Sequence, residues 1–133
     1  METRLFRLGD LPVKASDRNP GRTEVRLAKA TGLTQFGVNY VTLARGARTA
    51  SRHWHEAEDE FVLVLSGTPT LVDDNGEHQM LPGMIVGFPA GVANAHHVLN
   101  HAEEPAVLIV VGSRRPGEET IHYPDDDFGP VRK

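Results

Sequence analysis

The sequence contains no cysteine. That absence excludes disulfides, thiolate nucleophiles and iron–sulfur clusters, together with the Cys-rich sites that dominate structural zinc. Any metal on this chain must therefore be held by imidazole and carboxylate. Basic charge is also in short supply, since 14 Lys and Arg stand against 18 Asp and Glu for a formal net charge of −4. No surplus is left to neutralise phosphates or anionic lipid, so neither nucleic acid nor a membrane is an expected partner. The short basic clusters at Arg45, Arg48 and Arg52 and at Arg114 and Arg115 are expected to be solvated surface, with anion binding as the sharper alternative. No apolar run approaches the roughly 18 residues of a membrane span, and "METRLFRLGD" lacks the continuous apolar segment of a signal peptide. A soluble, cytoplasmic protein is the expectation. Helix signals are almost absent, and there is no internal repeat or low-complexity run.

What remains is a chain of 133 residues, 39% apolar and 24% charged. Those values suit one folded domain over 1–133, able to bury roughly two thirds of its unfolded surface. Short β-type segments follow one another closely: 23–28, 36–43, 51–56, 60–66, 68–73, 77–81, 84–88, 95–100 and 106–112. Asn75-Gly76 tolerates the positive φ of a tight turn and predicts a hairpin over 68–81. Pro82-Gly83 and the Pro89, Gly91 pair end strands that proline cannot continue. The pattern is that of an all-β sandwich or barrel, with its core at about 23–112. Residues 9–22 and 112–133 lack apolar periodicity and read as loosely packed arms. In the sharper reading Ile121, Tyr123 and Phe128 dock the second arm on the barrel or on a neighbouring subunit.

Residues 53–61, "HWHEAEDEF", concentrate titratable side chains. Alternation along a strand points His53 and His55 one way and Trp54 the other, and two imidazoles on one face can share an ion. Glu60, Val62 and Val64 share one face of the next strand, and Phe61, Leu63 and Leu65 share its other face. Both faces are apolar except at Glu60, and a carboxylate so placed needs a partner. Glu56, Glu58 and Asp59 fall in the intervening turn and are expected to be solvated. A further histidine can come from His96 or His97, which face opposite sides, so at most one of them joins the site. His78, His101 and His122 read as surface residues.

At this point the sequence resembles the cupins. Their first motif spaces a Gly, a His-x-His pair, a Glu and a second Gly. Here Gly46 is followed by six residues, His53-Trp54-His55, four residues, Glu60, six residues and Gly67. Their second motif is matched by Gly83, Pro89, Gly91, His96 and Asn100, with two extra residues between Gly91 and His96. Counted from Gly91 the ligand position is Asn94, a poor ligand; counted back from Asn100 it is His96, which we favour, with His97 the rival. The runs "GLTQFGVNYVTL", "RHWHEAEDEF", "FPAGVANAHH" and "HYPDDD" also look like a subgroup of small bacterial single-domain cupins.

The resemblance implies a double-stranded β-helix, or jelly-roll barrel, in which His53, His55, Glu60 and His96 hold a divalent transition metal. Imidazole and carboxylate suit zinc, nickel, iron, manganese or copper, and donor type does not choose among them. Such a site favours a small molecule chelating through two oxygens, which implies isomerase, epimerase or lyase chemistry on a sugar-like or hydroxy-keto substrate. The alternatives are a non-haem iron dioxygenase, without the thioether crosslink that needs cysteine, and a non-catalytic metal or ligand sensor. Gln35, Asn39 and Tyr40 lie where one of them could touch substrate, and no general base is identifiable. The two apolar faces of 60–65 call for a cover, and a homodimer is expected, as is common in cupins.

Overall fold

The computed structural model describes residues 2–133. After a short 3-10 turn at Leu8–Asp10 the elements run β1 (Lys14–Ala15), β2 (Arg22–Arg26), α1 (Leu27–Thr31), β3 (Phe36–Leu43), β4 (Trp54–His55), β5 (Glu60–Ser66) and β6 (Thr70–Asp73). There follow β7 (Gly76–Gln79), β8 (Ile85–Phe88), β9 (His97–Leu99), β10 (Ala106–Ser113), β11 (Thr120–His122) and β12 (Val131–Arg132). The fold is all-β apart from α1, with antiparallel pairing throughout the described strands, as in a cupin jelly roll. Among the described residues no helix is long and apolar enough to cross a membrane.

Six strands form one wall in the order β1-β2-β3-β10-β5-β8. The facing wall is two three-stranded pieces, β7-β6-β9 and β12-β11-β4. Isolated bridges at Arg48↔Leu99 and His53↔His96 splice these pieces together. Between the walls lies the core, where Val41, Leu43, Val62, Val64, Leu71, Val98 and Leu108 are buried. Alternation explains the selection, because in β5 Val62 and Val64 point inward while Phe61 and Leu65 stay exposed. Each such residue, fully buried, contributes roughly 1.5–3 kcal/mol of hydrophobic stabilisation.

The motif residues outside the histidine cluster turn out to close the barrel. Asn100 is fully buried, its Nδ2 donating to the carbonyls of Leu43 and Glu104 at 2.9 and 2.8 Å, so it ties the ends of β3 and β9 together. Gly67 has φ +82°, and a Cβ there would stand 2.7 Å from the Ala106 backbone. Only glycine lets the chain leave β5 so close to the start of β10.

Several expectations are corrected. The hairpin turn is Asp74-Asn75, one residue earlier than Asn75-Gly76, because Asp73 pairs with Gly76 and, among the described residues, no non-glycine residue has positive φ. Residues 27–31 form a helix that five residues are too few to announce by periodicity. The second arm is tied in, since Ile121 and His122 of β11 pair with His55 and Trp54 and Ile121 is buried.

Candidate metal centre

Glu60 opens β5 on its inward-facing row. Its neighbours across the sheet are Phe88 on β8 and Gly112 on β10, and Gly112 is paired in turn with Gly37 on β3. Two adjacent positions without side chains leave room beside Glu60, which the Arg114 guanidinium enters over Gly37. A cavity of about 310 Å³ lies there, lined also by Asn39, Val62 and Tyr123.

The facing wall supplies the histidines. His53 and His96 exchange backbone hydrogen bonds of 3.2 and 3.0 Å, which sets their side chains next to each other. His55 lies two residues on, on the same face, while Trp54 points away and stacks on His122 at 4.2 Å. Nε2 of His53, His55 and His96 stand 3.3, 3.1 and 3.5 Å from a single atom, Oε2 of Glu60. Ligand atoms bound at about 2.1 Å to one ion lie about 3.0–3.4 Å apart in octahedral or tetrahedral arrangements, so this spacing suits a shared metal.

The orientation of the rings strengthens the fit. Every Nδ1 is tied to an acceptor: His53 donates to the Ser51 carbonyl at 2.8 Å, His96 to the Asn94 carbonyl at 2.9 Å, and His55 to the Glu119 carboxylate at 2.9 Å. With Nδ1 protonated, each neutral ring presents its Nε2 lone pair to the same point. His96 adds an orphan, because its Nε2 is buried without a hydrogen-bond partner while Phe88 stacks flat on its ring at 3.4 Å. A buried nitrogen of this kind is costly unless something occupies its lone pair, and a metal ion would. One ligand atom from each of His53, Glu60 and His96 falls within 4.8 Å of the others.

Charge at the cluster follows from the same contacts. Burial opposes ionisation of Glu60, yet the imidazoles of His53, His55 and His96 clustered around it hold its carboxyl well below the usual range. Burial opposes charge on His55 as well, and is outweighed by Glu60 and Glu119, so its pKa is raised. Burial pushes the Glu58 carboxyl up, whereas Glu119 is held low despite burial by the Ala57 N–H and its side-chain partners. His55, Glu58 and Glu119 are themselves close enough to hold an ion. Their atoms are already committed, however: the Ala57 N–H donates to Glu119 at 3.0 Å and the Arg115 N–H to Glu58 at 2.9 Å.

Of the four residues read from the sequence, His53, Glu60 and His96 fall in one group, and His55 meets it through Glu60 Oε2 at 3.1 Å while also standing beside Glu58 and Glu119. His97 is not in the cluster; its Nδ1 donates to the Ala50 carbonyl at 2.8 Å. Asn94, from the two extra residues, is bonded to Asp73 and Asp74 at the β6–β7 turn. Asn39 lines the cavity, but Gln35 and Tyr40 do not. Glu58, expected in solvent, is buried, because its carboxyl is folded under the chain leaving β10. Arg52, expected to be solvated, is largely covered and grips Asp125 and Asp74, both at 2.7 Å. His122 is half-buried between Trp54 and Glu56. Glu119 escaped the sequence reading, since nothing local marks a carboxylate whose partner lies 64 residues away.

Comparison with known proteins agrees with this architecture. A family model described as a cupin domain matches residues 39–112. The crystal structure of a sugar phosphate isomerase from a cupin superfamily, from Silicibacter pomeroyi, is 40% identical, with a TM-score of 0.86, covering 96% of this chain and 90% of that one. A protein provisionally named a sugar phosphate isomerase, from Acidithiobacillus ferrooxidans, is 32% identical with a TM-score of 0.80, covering 92% and 82%. The polyketide cyclase of Streptomyces resistomycificus, 22% identical with a TM-score of 0.71 over 85% and 80% of the two chains, shares the fold alone. No curated protein matches the sequence.

Proposed function

The chain belongs to the cupin family, and from that premise we propose that it is a metal-dependent enzyme of the isomerase, epimerase or lyase type, acting on a small sugar-like or hydroxy-keto substrate. The observation that carries the reading is the convergence of three Nε2 lone pairs on one Glu60 oxygen, each ring locked through its Nδ1. His53, His55, Glu60 and His96 would hold a divalent transition metal. Such an ion acts as a Lewis acid on adjacent substrate oxygens.

The rest of the cavity fits that role. Asn39 offers a hydrogen-bonding side chain from β3, and Tyr123 packs 5.7 Å from the His53 ring with its hydroxyl pKa raised by burial. Val62, Val110 and Ile121 supply the apolar walls that limit water. Two relatives above 30% identity bear sugar phosphate isomerase names, which supports a sugar-like substrate. The exposed outer side of β5 and β8, with Phe61, Leu65 and Ile85, supports assembly as a homodimer, which light scattering should report as twice the chain mass.

The test is turnover. Protein stripped with chelator and reloaded with single metals should convert a member of an aldose, ketose and sugar phosphate panel, and lose that activity when stripped again. Ligand-induced thermal stabilisation without product under any metal would make the chain a binding module instead. Product formation only with iron and oxygen would make it an oxygenase.

A further inference from the structure

The cavity beside Glu60 shares part of its lining with a second one. Gly37, Asn39 and Arg114 also border a neighbouring recess of about 490 Å³ beneath α1 and the start of β3. Its charged lining consists of Arg26, Lys29 and Arg114 against a single acid, Glu24. Three cations facing one carboxylate is a local reversal of a chain whose net charge is −4.

The cations are unequally occupied. Glu24 accepts from Arg26 Nε at 3.1 Å and has a longer contact to Arg22 at 3.4 Å, so this carboxylate is taken. Arg114 is different. Its nearest carboxylate oxygen, on Glu58, is 3.9 Å away, beyond hydrogen-bond reach, and its side chain is half exposed. The guanidinium lies across Gly37, where a Cβ would come within 2.5 Å of Nη2. Glycine at 37 therefore leaves the space that the Arg114 guanidinium takes up, at the boundary between cavity and recess.

We propose that this recess receives the phosphate monoester of the substrate, with Arg114 as the principal contact and Lys29 and Arg26 as supporting charge. A guanidinium with free N–H groups matches phosphate oxygens bidentately, and Arg114 is placed to hold one end of a molecule whose oxygens reach the histidine cluster. The inference names the substrate class of the function proposed above and rests on it for the other end of the molecule.

Titration of the metal-loaded protein with inorganic phosphate and with phosphorylated and unphosphorylated forms of one sugar, followed by calorimetry, tests it. Saturable phosphate binding is expected, at least tenfold weaker in Arg114→Gln, partly recovered in Arg114→Lys and moderately weakened in Lys29→Gln, with metal content unchanged. Equal phosphate affinity in wild type and Arg114→Gln, or tighter binding of the unphosphorylated sugar, would overturn the recess as a phosphate site. Arg114-dependent phosphate binding by a chain that holds no metal would support the recess and remove the metal-dependent reading instead.

Discussion

Each histidine around Glu60 commits its Nδ1–H to a fixed acceptor, but only His55 commits it to a charge, the Glu119 carboxylate, which is fully buried in β11's approach. A carboxylate behind a metal-ligating imidazole fixes the tautomer and makes the ring a better donor, and its loss usually lowers metal affinity about 10–100-fold. Glu119→Gln should therefore weaken metal binding by about that factor in a competition titration, while Glu56→Gln, which follows β4 and pairs with His122, should leave it unchanged. The pH dependence has a definite sign. In chelator-treated protein the raised His55 pKa gives stability that is complete below the ordinary imidazole value of 6.5 and is lost as pH rises through the folded value. The lowered Glu60 pKa gives stability that is complete above 4.5 and is lost as pH falls through its folded value. The cluster thus favours the metal-free fold most between those two values, whereas metal needs neutral rings, so the thermal stabilisation produced by added metal should grow from pH 5 to 8. A shift that shrinks over that range would contradict the ligand set. His53, His55, Glu60 and His96 were legible because alternation and motif spacing are local properties of the chain. Glu58 and Glu119 were not, since their burial depends on which distant segment covers them.

Among the elements that build the site, β4 is only two residues long, held on one side by β11 and on the other by the His53↔His96 bridge and the Gly91 N–H donating to the His55 carbonyl at 2.9 Å. The segment carrying β11 is fastened in turn by Arg52, whose guanidinium takes both oxygens of Asp125 at 2.7 and 3.0 Å and also reaches Asp74 and the Ala95 carbonyl. Both acids are about half exposed, so solvent weakens the clamp. Arg52→Ala should cost about 1–2 kcal/mol in urea unfolding and make residues 120–132 an early site of limited proteolysis. Unchanged cleavage would show that β11 holds itself in place. Strands β3, β5, β6, β8 and β10 could be read to within two residues, because alternation over four to eight positions bounded by glycine or proline is a strong signal. Strands of two or three residues, as at β1, β11 and β12, carry too few positions for a period to show.

At the scale of the molecule, the double-walled barrel brings segments more than thirty residues apart to one point, and the two walls divide the work. One wall gives the carboxylate and, through Gly37 and Gly112, the room beside it; the other gives the three imidazoles. Motif spacing named those four residues without assigning them to walls. The second arm's part in closing the site was anticipated only as an alternative, because Ile121 and Tyr123 reveal their role once β11 is seen against β4. The central claim is that this junction holds a metal through four named residues, and metal content measures it directly. Tag-free protein loaded with a divalent transition metal and desalted should retain about one ion per chain, His53→Ala and His96→Ala should lose it, and His97→Ala should keep it. Retention of the ion by the folded His96→Ala variant, or its loss in His97→Ala alone, would contradict the account.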